Sequence, residues 1–493
     1  MNKYFFLILL YLNLSFSQSP VFELLNSNQT GVEFNNLIED RKEHNILLYA
    51  NYYGGGGVGI ADFDNDGLQD IYFGGNLVSD VIYRNLGDFK FEDKTINSGI
   101  NDNGSWSSGV TIADVNNDGL VDVYVSKELY DDKPELRRNK LYINKGNFTF
   151  EESSKSWGVD VSARTRHAVF FDYNNDGHLD LYLLNQPPNP GSYSKFFGSD
   201  LTLPEYSLQL FRNTGSNSFI DVTEEAGLKR TGFPNSVVAS DLNNDGLVDL
   251  YVANDFEAPD FLYFNNGDGT FSYETESSLK HTSFYSMGVD SADINNDGEL
   301  DIMVVDMTAE DNFRLKSNMS GMNPSAFWKV VKDGGHFQYM FNTLQINNGD
   351  KTFSDVAQYT KTSSTDWSWA NLIADFDNDG LKDIYVTNGL LKDIRNTDAD
   401  KKVGEFVLKI ADDYVKKNKT FDYNLWDILP LDKALELVPS VKIKNYLYKN
   451  YGDLDFKNEA KLWGVDQPSF SNGASYADLD NDGDLDLVVS NVN

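Results

Sequence analysis

Residues 61–70 read ADFDNDGLQD: four carboxylates fall within the nine positions from Asp62 to Asp70, and apolar Ile71-Tyr72-Phe73 follows at once. The same nine-residue pattern returns six more times, starting at Asp114, Asp172, Asp241, Asp293, Asp375 and Asp478. Repetition at start-to-start spacings of 52, 58, 69, 52, 82 and 103 residues signals a propeller or a solenoid.

Each copy lies between two short runs rich in β-branched and aromatic residues, such as GVGIA before the first and IYFGG after it, and so reads as the turn of a hairpin. After each of the first six copies a Gly-containing turn recurs, as in LGDFKFED at 86 and NGDGTFSY at 266, behind a strand ending in Asn (YRN, YIN, FRN, YFN, INN, YKN). That turn joins a third strand to a fourth. Four strands per unit, with no room for a crossover helix in the shorter units, predict an all-β fold: a seven-bladed β-propeller with four-stranded blades. The outer strands of the seventh blade are expected from the N-terminal stretch 21–37, whose TGVEFNN alternates suitably and would close the ring without an open edge. A chain cut from a longer protein is the other reading.

The longer spacings contain insertions. Between 397 and 418, Val403, Phe406, Val407, Ile410, Ala411, Tyr414 and Val415 recur on one face, which predicts an amphipathic helix within an insertion over about 390–445. Residues 186–206 and 308–340 read as further loops or short helices. Insertions on a rigid scaffold are where binding specificity usually sits.

The repeated loop has the composition of a hard-cation site. Position 1 is Asp62, Asp114, Asp172, Asp241, Asp293, Asp375 and Asp478; position 3 is Asp64, Asn116, Asn174, Asn243, Asn295, Asp377 and Asp480. Position 5 is Asp66, Asp118, Asp176, Asp245, Asp297, Asp379 and Asp482; position 9 is Asp70, Asp122, Asp180, Asp249, Asp301, Asp383 and Asp486. Position 7 would contribute its backbone carbonyl and is Leu68, Leu120, His178, Leu247, Glu299, Leu381 and Asp484. Calcium takes about six to eight oxygens, and this set supplies most of them, with the Gly at position 6 allowing the sharp bend. A helix-loop-helix calcium hand needs a bidentate Glu at position 12, but here that position is Phe73, Val125, Leu183, Val252, Val304, Val386 and Val489. The ninth-position Asp is therefore expected to complete the site, and up to seven Ca²⁺ are expected. The competing reading is an Asx-type turn held by side-chain to backbone hydrogen bonds with no ion. Magnesium, which keeps its waters, suits so many protein oxygens less well.

A net charge of −35 with a pI near 4.3 argues against nucleic acid or anionic lipid as partner and for bound cations. Seven Ca²⁺ would take −35 to −21, so metal accounts for part of the acidity. Residues 1–17 carry one Lys, an apolar run from Tyr4 to Leu12, and Ser15-Phe16-Ser17, the pattern of a signal peptide cleaved after Ser17. An uncleaved anchor is the alternative, against which the run is shorter than a membrane span. The remaining 18–493 is expected to be secreted or at the cell surface, with the periplasm possible in a bacterium and no membrane insertion after cleavage. Cys is absent, so rigidity without disulfides or a lipid-modified Cys must come from elsewhere, and bound metal is one source.

The repeat resembles the FG-GAP/VCBS repeats of integrin-α-type calcium-binding propellers over most of residues 45–493. YYGGGGVGIADFDNDGLQDIYFGGN (52–76), TDWSWANLIADFDNDGLKDIYVTNG (365–389) and FSNGASYADLDNDGDLDLVVSNVN (470–493) are further similar to the propeller part of secreted bacterial ASPIC/UnbV proteins, the cartilage acidic protein-like group. The resemblance implies a calcium-stabilised extracellular propeller for adhesion or ligand binding. Two departures limit it: the Gly-Ala-Pro signature of integrin repeats is replaced by GGN, LLN and VAN, and no ASPIC/UnbV domain lies within these residues.

Motifs for catalysis are missing: there is no Cys nucleophile, no Gly-x-Ser-x-Gly and no His-Glu-x-x-His, and the five His (44, 167, 178, 281, 336) are scattered. No catalytic or cofactor-binding residue is assigned. DFEAPD (255–260) and TDWSWA (365–370) combine carboxylates with aromatics as sugar sites do, while Trp367 and Trp369 also fit packing between blades. The expectation is a non-enzymatic module binding extracellular protein or polysaccharide. The rival is a carbohydrate-active lyase or hydrolase, which a pair of carboxylates about 5–10 Å apart in a pocket would favour.

Overall fold

The computed structural model describes residues 21–49, 51–102, 104–187, 206–256, 258–318 and 323–493, so the segment read as a signal peptide and most of the 186–206 insertion lie outside the described residues. In every repeat the acidic loop is clamped by the same antiparallel pair. The residue before position 1 faces the Asp at position 9: Ala61↔Asp70, Ala113↔Asp122, Phe171↔Asp180, Ser240↔Asp249, Ala292↔Asp301, Ala374↔Asp383 and Ala477↔Asp486. Two residues per loop take left-handed backbone: Gly at position 6 (Gly67 φ 88°) and Asn at position 4 (Asn65 φ 57°). Asn tolerates that region because its short amide bonds locally.

The first sheet runs Val58–Ala61, Asp70–Phe73, Val81–Asn85, Phe91–Asp93 in that order, antiparallel throughout. Five further sheets repeat this order, with first strands Trp106–Ala113, Arg164–Phe171, Pro234–Ser240, Val289–Ala292 and Ser368–Ala374. The last sheet has two strands, Ser471–Ala477 and Asp486–Asn491. First strands of successive sheets touch, and Ser471–Ala477 lies against Val58–Ala61, so the sheets close into the ring of a β-propeller. Between sheets the core is large and aromatic: Tyr72, Tyr124, Tyr182, Tyr251 and Tyr385, two residues beyond the ninth-position Asp, are all buried.

The last sheet departs from the expected four strands. Residues 21–37 add no strand to it: Ser27–Thr30 is one helical turn, and ladder pairing is confined to an isolated parallel bridge, Asn36↔Val492. The alternation in TGVEFNN serves side-chain packing instead. Phe34 stacks on Phe73 at 4.8 Å, and Val32 and Phe34 pack among Tyr83, Leu479 and Val488 across the junction of last and first sheets. The Glu33 N–H donates to the Tyr83 hydroxyl (3.1 Å) rather than to a backbone carbonyl of a ladder.

Antiparallel order sorts the connections. Turns from first to second strand leave one rim, so all seven acidic loops share it, and connections from second to third strand leave the other. The insertions within 305–342 and 389–445 both occur in that second class. The predicted helix is present as Thr397–Asn418, its apolar residues half-buried against Leu425–Ile428 and Leu431–Leu435. The 308–340 stretch forms helices Asn312–Asn318 and Pro324–Lys332.

On the insertion rim the middle of the ring is filled by residues 51–57. Tyr52 stacks on Trp106 of the second sheet (5.0 Å), Asn51 Nδ2 donates to Gln186 Oε1 of the third (2.8 Å), and Asn472 Nδ2 of the last donates to the Tyr53 carbonyl (2.9 Å). Arg166 donates to the Gly54 carbonyl (3.0 Å) and lies 5.9 Å from the ring of Trp369, which belongs to the sixth sheet. A Cβ on Gly56 would sit 2.0 Å from the Gly74 carbonyl oxygen, and Gly55 and Gly57 take positive φ (75° and 88°), so these three positions call for glycine.

Candidate metal centre loops and the opposite rim

Each loop is built by its own carboxylates. In the first, Asp62 accepts from the Asp66 N–H (Oδ1, 3.0 Å) and the Gly67 N–H (Oδ2, 2.7 Å), and Asp66 Oδ1 accepts from the Leu68 N–H (3.0 Å). The other six repeat this pattern, for example Asp118 N–H to Asp114 and His178 N–H to Asp176. These bonds turn the remaining lone pairs toward one another. Carboxylate oxygens of Asp62, Asp64 and Asp66 lie within 4.8 Å of each other, as do those of Asp375, Asp377 and Asp383, and of Asp478, Asp480 and Asp486.

The ninth-position Asp has a second task that spacing did not reveal. Asp70 Oδ2 accepts from the Phe63 N–H (2.8 Å) and Oδ1 from the N–H of Asn85, the last residue of the third strand (2.7 Å). It thus ties loop, second strand and third strand together, and the strand-ending Asn adds its side chain: Asn85 Nδ2 donates to the Gln69 (2.9 Å) and Leu479 (2.7 Å) carbonyls, and its Oδ1 accepts from the Gly87 N–H (2.9 Å). Burial pushes these carboxyls up against the pull of their N–H donors, to about 7 for Asp70, Asp122, Asp180, Asp249 and Asp383 and about 6 for Asp301 and Asp486.

Positions 3 give the test of fit. Arg84 reaches one oxygen each of Asp64 (2.8 Å) and Asp66 (2.9 Å), and Lys449 pairs with Asp377 and with Asp379 (2.6 Å). The inner oxygens, Asp64 Oδ1 and Asp377 Oδ1, are buried without a hydrogen-bond partner, as is the amide of Asn243. An orphaned carboxylate oxygen facing other carboxylates is costly unless a cation meets it, so the residues present fit a hard divalent ion. Asx-type bonding within the loops is real and coexists with these orphans.

Position 4, unassigned by sequence reasoning, links neighbouring loops: Asn65 Nδ2 donates to the Gly119 carbonyl (2.9 Å), Asn117 to Gly177 (3.0 Å), and Asn481 to Gly67 (3.0 Å) across the ring closure. Its presence in all seven copies was the available signal. The His178 ring lies across the junction, its Nδ1 3.4 Å from Asn117 Nδ2 of the neighbouring loop.

On the opposite rim a cavity of about 520 Å³ opens where the fifth sheet's insertion meets the sixth sheet, lined by Glu310, Asp311, Arg314, Asp366, Lys444, Tyr446 and Lys461 among others. Arg314 is held by Asp366 (2.5 and 2.9 Å) and Asp393 (3.3 Å), and the Tyr446 hydroxyl donates to Glu310 (3.0 Å). The TDWSWA motif divides here: Asp366 reaches the cavity, while Trp367 and Trp369 are buried in the central cluster. In DFEAPD, Asp255 and Asp260 are buried and Glu257 lies outside the described residues. His281 is partly exposed, 3.1 Å from Asp355.

A closed ring of antiparallel sheets with an acidic loop on each defines a propeller of repeated acidic-loop units. FG-GAP-like repeats match at residues 47–125, 131–183, 201–252, 241–304 and 330–386, and the chain belongs to the FG-GAP-like repeat family. Cartilage acidic protein 1 of Homo sapiens is 22% identical over 379 residues, covering 68% of this chain and 56% of that protein. The Xenopus tropicalis protein of the same name is 24% identical over 380 residues, covering 68% and 57%. The chain thus spans little more than half the length of the curated relatives it matches. Among solved structures, the Vibrio cholerae biofilm matrix protein Bap1 is 12% identical with a TM-score of 0.24, covering 68% of this chain and 34% of that one. No helix among the described residues is long and apolar enough to cross a membrane.

Proposed function

We propose that this chain is a secreted, calcium-stabilised propeller of seven blades, the last one short, that acts as a binding module and holds an extracellular glycan or protein on its insertion rim. The observation that carries the calcium assignment is the orphaned, buried oxygen of Asp64 and Asp377 among converging carboxylates. Positions 1, 3, 5 and 9 and the position-7 carbonyl would hold the ion. Bound calcium supplies positive charge that offsets carboxylate repulsion. The residues themselves fix the geometry: position 1 closes the turn, position 9 ties the loop to the second and third strands, and Arg84 and Lys449 each pair with one oxygen of positions 3 and 5.

Binding is assigned to the other rim because the described insertions gather there and the cavity lies beside one of them. Its lining alternates carboxylates and lysines around Tyr446, which is stacked on Tyr448 (5.8 Å). Such a wall suits a ligand that both donates and accepts hydrogen bonds, as sugar hydroxyls do. We place binding ahead of hydrolysis because Asp366 is committed to a bidentate pair with Arg314 and Glu310 to Tyr446. The test is an array of extracellular polysaccharide fragments probed with the calcium-loaded chain. Tyr446→Ala should weaken retention of any bound glycan about tenfold, the loss of one good aromatic contact, measured at a temperature where the variant is fully folded. Undiminished retention would remove the cavity from consideration.

A further inference from the structure

We infer that the acidic loops are coupled through their asparagines, so that an ion taken up by one loop orders the next and calcium binding is cooperative around the ring. The inference rests on the calcium reading above and adds a property of the whole set. Its basis is a repeated relay. The Gly carbonyl at position 6 and the N–H at position 7 belong to one peptide unit. In the first loop that unit accepts from Asn481 Nδ2 at its oxygen (3.0 Å) and donates from the Leu68 N–H to the Asp66 carboxylate (3.0 Å). Asn481 in turn stands between Asp480 and Asp482, two proposed ligands of the preceding loop.

The relay recurs. Asn65 donates to Gly119 O (2.9 Å) while the Leu120 N–H donates to Asp118 (2.9 Å); Asn296 donates to Gly380 O (3.0 Å) while the Leu381 N–H donates to Asp379 (3.0 Å). Between the fourth and fifth loops the contact shifts to a side chain, Asn244 Nδ2 to Glu299 Oε1 (3.3 Å). Asn175 makes no such bond among the described residues. A second link runs the other way. The strand-ending Asn of each of the first six sheets donates to the position-2 carbonyl of the preceding loop, as Asn144 does to Phe63 (2.9 Å) and Asn85 to Leu479 (2.7 Å).

Among the described residues the last sheet has two strands, and no strand-ending Asn reaches the position-2 carbonyl of the sixth loop. Between the sixth and seventh loops the described link is Asn378, which donates to Gly483 O (3.2 Å) and Asp484 Oδ1 (2.7 Å).

Filling a loop fixes positions 3 to 5, and with them the left-handed Asn at position 4. That Asn then presents its amide to the next loop, which has less ordering left to do, and this is positive coupling. A polarised peptide unit also strengthens as a donor to the position-5 carboxylate. Charge repulsion between ions in neighbouring loops acts against the coupling, but at exposed loops it is screened within about 8 Å at physiological salt.

The test is calorimetric titration of the calcium-free full chain with calcium chloride at physiological salt, with bound calcium counted by atomic emission. The wild type should bind with a Hill coefficient above unity. Asn378→Gly, which keeps the positive φ, should bind the same number of ions with a lower coefficient, and its last-filled loops should need about fivefold more calcium, the lower end of ordinary site-to-site coupling. Asn65→Gly, at a junction that keeps its second link through Asn144, should show a smaller change. Asn175→Gly should superimpose on the wild type. Independent sites in the wild type, an Asn378→Gly isotherm matching wild type, or an equal change in Asn175→Gly would each overturn the coupling. Absence of bound calcium in every form would overturn the underlying metal reading instead.

Discussion

At the residue scale, the position just before the third strand shows how this fold handles buried polar groups. Asp260 accepts from the Asn254 N–H (Oδ1, 2.8 Å) and the Tyr251 hydroxyl (Oδ2, 2.8 Å). Asn445 does the same work in the sixth sheet, accepting from the Asn388 N–H (2.9 Å) and donating to the Tyr385 hydroxyl (2.9 Å). In the first sheet Asp80 meets Lys127 (3.2 Å), both fully buried. Among the described residues no cation pairs with Asp260, and burial pushes its carboxyl from 3.8 to about 7. A raised folded-state pKa means that stability present below about pH 4 is lost as pH rises through about 7. Asp260→Asn should therefore raise stability at about pH 8 by about 1–3 kcal/mol and leave it nearly unchanged at about pH 4, measured by denaturant unfolding. Equal effects at both pH values would mean that the carboxyl carries no buried charge.

At the scale of elements, the helix Thr397–Asn418 is built to local rules: Asn396 Oδ1 accepts from the Ala399 N–H (3.0 Å), Asp398 and Asp400 sit in the first turn, and Lys416 and Lys417 in the last. Asn396→Ala should cost the helix about 1 kcal/mol, read as faster amide exchange in 397–418 with none in the sheets. Faster exchange throughout would show that the insertion and ring unfold together. This helix and the first six sheets were legible because their periodicities are local: 3.6 for the apolar face, and paired short runs around an acidic turn. The role of residues 31–37 was not, because alternating Val32 and Phe34 look the same whether a segment joins a ladder or lays its side chains over a sheet junction. The relay through Asn65 and its counterparts was hidden for a related reason. A loop's sequence records which residues turn the chain, but not that the next loop's carbonyl lies within reach of an amide.

Across the described residues, the acidic loops and the insertions occupy opposite rims, and residues 51–57 fill the middle of the insertion rim. In the function proposed above, one rim holds the ring together and the other meets a ligand. Loss of calcium should weaken every junction at once, since each loop joins its own hairpin to its neighbours. A site filled at a hundredfold excess over its dissociation constant contributes about 2.7 kcal/mol, and several such sites add to a large share of a domain's stability. The most direct measurement is thermal unfolding of the full chain in excess calcium and again in excess chelator. A large fall in melting temperature on chelation, restored by calcium and not by magnesium, is the expected result. Superimposable unfolding curves in the two buffers would contradict a calcium-held ring.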